Sequence, residues 1–325
     1  MNASILDQFI GNKVMVIGDV MLDKYLTGRI DRISPEAPVP IVNLKSRETR
    51  LGGAANVTLS LKALEAIPVL FSVIGDDANG SLLISLLADH NISQDHLYES
   101  PDRRTTVKSR ILASDQQILR VDEEDTHALS ELEESKLINN ILEYLNKELV
   151  SVIILQDYNK GVLTPNVIKT VIKAARDMNI PTVVDPKKDN FWCYQGVTCF
   201  KPNLKEVREA LNREIPLDNY SLELVHADLK TKLNHEISLI TLSEHGVFSA
   251  KDEEIHWIPT QAREIADVCG AGDAVVATVA LCIAHDINTK KMCILANMTG
   301  GQVCERVGVV PVDKAQLCLE ISTNA

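Results

Sequence analysis

The residues best suited to chemistry in this chain are Asp267-Val268-Cys269-Gly270-Ala271-Gly272-Asp273. Gly270, Ala271 and Gly272 make a turn almost free of side chains, and the apolar run from Ala274 to Ala284 recurs at helical spacing behind it. That spacing predicts a helix starting inside the turn. Free backbone N–H groups at a helix start attract anions, and with no bulky side chain in the way a phosphate can come right up to them. Asp273 then stands at the mouth of the anion site. Its charge repels a phosphate, so its useful role is to take a proton from a hydroxyl that attacks the phosphate. The same residues also read as an Asp capping a helix after a glycine-rich turn, and the rest of the chain has to decide between the two.

Further polar groups fall where ligands collect. Val14 to Ile17 predicts a buried strand that ends in Gly18-Asp19, with Asp23 four residues on. Groups just past the carboxyl end of a parallel strand are where α/β sheets bind ligands. Gly52-Gly53-Ala54-Ala55-Asn56 opens a helix, and the Asn56 amide can both donate to and accept from a sugar hydroxyl. Asn203 and Glu206 share a helix face, where their oxygens suit a hydrated Mg²⁺ or, equally, a reciprocal helix cap. Arg103, Arg104, Lys108 and Arg120 form a basic cluster that predicts an anionic group on a substrate, against the alternative of a solvated edge strand. No Walker A lysine accompanies Gly75 to Ser81, so a nucleotide would have to be held another way.

The elements that position these groups follow from the pattern. Strands are predicted at Val69 to Ile74, Val152 to Leu155, Pro181 to Val184 and Ile237 to Leu242, and helices at Glu131 to Leu149, Pro165 to Met178, Lys291 to Arg306 and Val312 to Ile321. Strand, polar turn and helix in repeated order predict an α/β fold with a doubly wound, mostly parallel sheet flanked by helices. Phe248 to Ala250 and Glu254 to Ile258 predict an antiparallel addition to it. Pro35, Pro38 and Pro40 exclude a helix and a central strand, so the stretch Arg29 to Leu44 predicts an edge ribbon or small β lid. No fixed-period repeat or low-complexity linker breaks the chain, which predicts a single domain over 1–325 with a lid from about 20–50 and 100–122.

A net charge of −12 argues against a general nucleic-acid binder. The seven cysteines form no C-x-x-C pair and read as reduced thiols. Neither a signal peptide at Met1 to Asn12 nor an apolar run of membrane-spanning length is present in the sequence, which predicts a cytoplasmic protein with no membrane partner.

The order of the motifs is similar to that of the PfkB (ribokinase-like) carbohydrate kinases over nearly the whole chain. It runs Gly18-Asp19, Gly-Gly-Ala-Ala-Asn at 52–56, Asn203-x-x-Glu206, Thr241-x-Ser243 with Gly246, then the turn ending in Asp273. Arg32 to Pro40, Gln116 to Asp122, Asp157-Tyr158-x-Lys160-Gly161 and Asp185-Pro186-Lys187 resemble one subgroup, the D-glycero-β-D-manno-heptose 7-phosphate kinases of ADP-heptose and lipopolysaccharide synthesis. Many of those are fused to a C-terminal nucleotidyltransferase domain. This sequence ends at Ala325, which predicts the kinase alone.

The resemblance implies an ATP- and Mg²⁺-dependent kinase that phosphorylates an anomeric hydroxyl; in relatives a loop beside the anion hole helps bind a monovalent cation such as K⁺, and here Cys269 and Ala274 flank it. Asp273 would be the base, and the N–H groups of Gly270, Ala271 and Gly272 the anion hole. Asn203 and Glu206 would order Mg²⁺ through water. Thr241, Ser243 and Gly246 would line the ATP phosphates, Asn297 would lie near the adenine, and Asp19, Gly53 and Asn56 would hold sugar hydroxyls. Arg103, Arg104, Lys108 and Arg120 would receive the distal phosphate, and the lid would pair two subunits into a homodimer. Cys269 and Ala274 depart from the Thr or Ser usual in the family, and Gln156 from a small residue. Alternatives are a kinase of a fructose phosphate or ribose, or a non-catalytic sugar-phosphate-binding relative.

Overall fold

A computed structural model describes residues 2–113, 116–261 and 263–323. After a 3-10 turn (Ala3–Phe9) come β1 (Lys13–Gly18) and a long hairpin, β2 (Val20–Ile33) and β3 (Pro40–Gly53). The chain returns through α1 (Ala54–Ala63), β4 (Ile67–Gly75), α2 (Ala78–Asp89) and β5 (Leu97–Ser100), then leaves again as β6 (Val107–Ala113) and β7 (Gln116–Glu123). There follow α3 (Glu131–Lys147), β8 (Val152–Gln156), α4 (Pro165–Asp177), β9 (Thr182–Asp185), β10 (Cys199–Phe200), α5 (Leu204–Leu211), α6 (Asn219–Leu233) and β11 (Ile237–Thr241). The hairpin β12 (Val247–Lys251) and β13 (Glu254–Ile258) precedes α7 (Ala271–Ala284), α8 (Thr289–Cys304) and α9 (Lys314–Thr323).

The main sheet has nine strands in the order β13-β12-β11-β10-β9-β8-β1-β4-β5. All pairings from β11 across to β5 are parallel, and β12 and β13 add on antiparallel, as the sequence pattern predicts. Strand β1 shows why the sheet is buried on both sides. Val14 and Val16 pack into the layer that holds α1, α7 and α8, while Met15 and Ile17 pack into the layer that holds α3, α4 and α6. Successive side chains point to opposite faces, so a strand that is apolar throughout must be covered twice.

Strand order reverses between β1 and β8, and this switch point is where such sheets open a crevice. The backbones there are very close: a Cβ on Gly18 would lie 2.0 Å from the Gln156 carbonyl oxygen.

The lid is a four-stranded sheet, β3-β2-β6-β7. Its hairpin pairs from Val20↔Gly53 out to Ile33↔Pro40, with register shifts at Thr27/Gly28 and Ile30/Arg32. Pro40 opens an edge strand, the one place in a sheet where a missing N–H is tolerated. The root of β2 is buried at Val20, Met21 and Leu22, whereas β7 is exposed along its whole length. Of the stretches 20–50 and 100–122, the first spans β2 and most of β3, and the second holds β6 and most of β7, with 101–106 a loop. Residues 114 and 115 lie outside the described residues. Among the described residues all seven cysteines are free thiols, and no helix is long and apolar enough to cross a membrane.

Candidate active site

Five adjacent parallel strands end side by side, and each ends in polar groups. Asp19 follows β1, Gln156 closes β8, Asp185 closes β9, Lys201 follows β10 and Thr241 closes β11. Two helices start over this row. Where helix caps are described, most are closed by a side chain (Asp77, Ser130, Thr164, Asn203, Asp218, Asn288). α1 and α7 instead begin at Gly53 and Gly270 with no side-chain cap. No side chain closes their first turns, as an anion site requires, though the Ala54 N–H of α1 donates to Asp19 O at 2.9 Å. Gly270 has φ +81, and a Cβ there would stand 3.0 Å from the Asn56 amide nitrogen, so glycine suits both the backbone and the space. One of the predicted anion-hole donors is already engaged, since the Ala271 N–H donates to Val268 O at 3.4 Å.

Asp273, in the first turn of α7, is 2% exposed. The Asn56 amide donates to Oδ2 at 2.7 Å. The Tyr158 hydroxyl at 2.8 Å and the Gln156 amide at 3.1 Å both donate to Oδ1. Burial pushes the carboxyl up to about 7, with the Asp185 charge adding, while Asn56, Tyr158 and the Lys201 charge pull the other way. A carboxylate whose proton affinity lies near neutrality, held by oriented donors, is what a general base needs.

Beside it runs a buried ionic row. The Lys201 ammonium pairs with Asp185 at 3.0 Å, and a Cβ built on Gly272 would approach Asp185 at 3.5 Å and Lys201 at 3.9 Å. The anion loop thus lies directly against a buried lysine. Lys187 pairs with Glu206 and stands 5.6 Å from the Tyr158 ring centroid. Burial alone would lower Lys187, but the charges of Asp185 and Glu206 outweigh it and hold the ammonium above its usual range. Asn203 and Glu206 form the reciprocal helix cap that their spacing also allowed: each side chain bonds the other's backbone N–H at 2.8 Å. Thr241 pairs with Asn203 in an isolated bridge, which places both at the same end of the sheet.

The pfkB family of carbohydrate kinases matches residues 12–315. The chain belongs to the pfkB family. Bifunctional protein HldE of Aliarcobacter butzleri is 43% identical over 295 residues, 91% of this chain and 61% of that protein. The HldE of Trichlorobacter lovleyi is 40% identical over 312 residues, 95% of this chain and 63% of that protein. The chain therefore spans about three-fifths of the length of these curated relatives. Phosphofructokinase-2 from Escherichia coli, in complex with potassium, superposes with a TM-score of 0.80 at 20% identity, covering 96% of this chain and 100% of that one. Arabidopsis thaliana ribokinase, complexed with ribose and ATP, superposes with a TM-score of 0.72 at 17% identity, covering 95% and 99%. The fold is ribokinase-like and the protein is a carbohydrate kinase.

Several residues chosen from the sequence of this pfkB kinase sit differently from expectation. Asp19 is buried, but its carboxylate accepts the backbone N–H groups of Tyr158, Lys160 and Val162. It holds the loop after β8 and has little left for a sugar. Burial, with the neighbouring Asp157 charge, raises it to about 6. The polar group in the crevice from this part of the chain is Asp23, 3% exposed and ion-paired with Arg110. A Cβ on Gly52 would strike Asp23 Oδ2 at 2.2 Å, so the glycine makes room for this carboxylate, while a Cβ on Gly53 would strike Asp19 O at 2.4 Å.

The basic cluster is also corrected. Arg104 pairs with Asp125, Lys108 with Asp122 and Glu124, and Arg120 with Asp122. Arg120 and Asp122 lie two residues apart on one face of β7, while Lys108 and Arg104 find their carboxylates 14 to 21 residues further on. Arg103 is buried, with its guanidinium on the backbone carbonyls of His127 and Lys160. A further cation of β6, Arg110, reaches the crevice, 5.4 Å from the Tyr25 ring centroid and 3.9 Å from Cys269 Sγ. Burial, aided by Asp267, pushes the Cys269 thiol up to about 11, so it is neutral beside Arg110.

The residues assigned to the nucleotide fall at the far side of the row. Ser243 opens an exposed 3-10 turn that ends at Gly246, where a Cβ would strike Ile258 O at 2.0 Å. Asn297 donates to Pro259 O at 2.7 Å and lines a small cavity of about 30 Å³ with Ile258, Ile294 and Met298.

Proposed function

We propose that this kinase transfers the γ-phosphoryl group of ATP to the anomeric hydroxyl of D-glycero-β-D-manno-heptose 7-phosphate, giving the 1,7-bisphosphate. The observation that carries the reaction is Asp273: a buried carboxylate raised to about 7, in the first turn of a helix that has no side-chain cap, beside the buried Lys201. The relatives named HldE, and the lid and loop motifs shared with heptose 7-phosphate kinases, support the sugar. The basic cluster no longer does, since its exposed members are paired.

In this reading Asp273 takes the proton of the attacking hydroxyl. The first-turn N–H groups of α7 and the Lys201 ammonium face the charge on the transferred group. Asn56 orients the base, while Asp23 and Arg110 line the sugar side. Thr241, Ser243 and Gly246 line the phosphates and Asn297 the adenine. Among the described residues no cluster of three or more His, Cys, Asp or Glu side chains is placed to hold a metal ion. Asn203 and Glu206 would hold Mg²⁺ through its waters, and the ion would supply positive charge to the phosphates. The lid excludes water from the crevice, so that ATP is not hydrolysed. Its exposed Ile33, Val39, Leu119 and Val121 support a homodimer through this sheet.

The test is ADP release from ATP and Mg²⁺ across heptose 7-phosphate, fructose 6-phosphate, fructose 1-phosphate, ribose and no sugar. Selective turnover of the heptose phosphate is expected. Turnover of another sugar alone would discard the substrate but keep the reaction. Silence from ATP-binding protein would discard both.

A further inference from the structure

We propose that Gln156 is a positioning residue for Asp273: its side-chain amide ties that carboxylate to Asp185 and occupies Oδ1, so that the substrate proton goes to Oδ2. This rests on the reading of Asp273 as the base. Gln156 is the last residue of β8, 1% exposed, at the switch point between β8 and β1. Its backbone is fixed by the close approach of Gly18 and by the Asp19 N–H, which donates to its carbonyl at 3.2 Å. The amide nitrogen lies 3.1 Å from Asp273 Oδ1 and 3.1 Å from Asp185 Oδ2. Both neighbours are carboxylate oxygens, so the nitrogen and not the oxygen must face them, with one hydrogen for each.

The price is visible in the fold: Gln156 Oε1 is buried with no donor among the described residues. Stability alone does not favour an unpaired buried acceptor. What the arrangement achieves is orientation. Asp185 is held through its other oxygen by Lys201, and Asp273 through its other oxygen by Asn56, so Gln156 links two carboxylates that are each gripped at both ends. Among the described residues, Oδ1 of Asp273 takes two donors, Gln156 and Tyr158, whereas Oδ2 takes one. A carboxylate oxygen has two lone pairs, so the free one belongs to Oδ2.

Gln156→Met keeps length and bulk and removes both donors. Steady-state rates of Gln156→Met, Gln156→Glu and Asp273→Asn would be measured from pH 5.5 to 9 with ATP and whichever sugar turns over, beside thermal unfolding. For Gln156→Met the expected result is kcat lower by about 10- to 100-fold at neutral pH. The KM for ATP should be unchanged within about threefold, because this amide bonds Asp273 and Asp185 and none of the residues proposed for the nucleotide. The acid limb of kcat should move to higher pH, because the ionised Asp273 has lost a donor. Gln156→Glu, of the same length, should also move the limb upward, by like-charge repulsion. Wild-type kcat and an unmoved limb in whichever variant folds would overturn the proposal. Retained activity in Asp273→Asn would instead overturn the base assignment, so the two failures are distinguishable.

Discussion

Asp273→Asn keeps the shape of the side chain and removes its ability to take up a proton. The structure predicts opposite effects on rate and on stability. For the rate, losing a positioned base costs about 10²- to 10⁴-fold in kcat, or ~2.7–5.4 kcal/mol of barrier at ~1.36 kcal/mol per decade. For stability, the sign comes from the raised proton affinity. Asp273 rises from 3.8 to about 7 on folding, chiefly by burial. A carboxylate raised in this way costs nothing below pH ~4, where both states are protonated. The cost grows as pH climbs and is complete above about 7, reaching about 4 kcal/mol. Asn carries no such burden. Its NH₂ would face the Asn56 amide, but Asn56 Oδ1 is buried and without a partner among the described residues, so a flip of Asn56 restores the bond. At ~2.1 cal/mol/K per residue, the whole chain has an unfolding entropy near ~0.7 kcal/mol/K. The variant should therefore melt about 6 °C above wild type at pH 8, with the difference vanishing toward pH 4. Coupled-enzyme ADP release and scanning calorimetry at both pH values measure the two effects. Turnover within tenfold of wild type would remove Asp273 from the base role. Equal or lower melting at pH 8 would show that the buried carboxylate is not under electrostatic strain.

Lys201→Met should cut kcat by about 10²- to 10³-fold, as loss of a preorganised charge beside the anion hole does. It should also cost ~3–5 kcal/mol in urea unfolding, because Asp185 is left buried without its cation. Neutralising Arg104, Lys108 and Arg120 together should leave the sugar KM within about twofold, since the charge of each is already matched by a carboxylate. Arg110→Gln should by contrast raise the sugar KM and lower stability, as it strips the buried Asp23 of its partner.

Much of the fold was readable because its strongest signals are local. The run behind Gly270-Ala271-Gly272 and the apolar strands Val14 to Ile17 and Val152 to Leu155 need no long-range information to be placed. α2 and β5 were passed over. The first turn of α2 contains Gly80 and Ser81, both poor helix formers, and β5 is only four residues long. α6 was readable and missed, for Leu222, Val225, Leu229 and Leu233 recur at helical spacing. In the site, Asp273 and Asn56 were found and lie 2.7 Å apart. Lys201 and Asp185 were not placed there, although a charged residue closing a buried strand was the available signal. The choice of Asp19 over Asp23 could not be corrected from sequence, since the N–H groups that hold Asp19 and the Arg110 partner of Asp23 come from far along the chain. Of the paired cations only Arg120, two residues from Asp122, shows its partner locally.

The switch point also has a consequence for how the protein is made. β1 lies between β4 and β8, so one of its edges is covered early in synthesis and the other only after residue 152 has emerged. The carboxylate of Asp19 waits for the N–H groups of Tyr158, Lys160 and Val162, and Asn56 waits for Asp273. A nascent chain halted before β8 thus exposes a bare sheet edge together with a carboxylate meant for the interior. The crevice is complete only when α7 has left the ribosome.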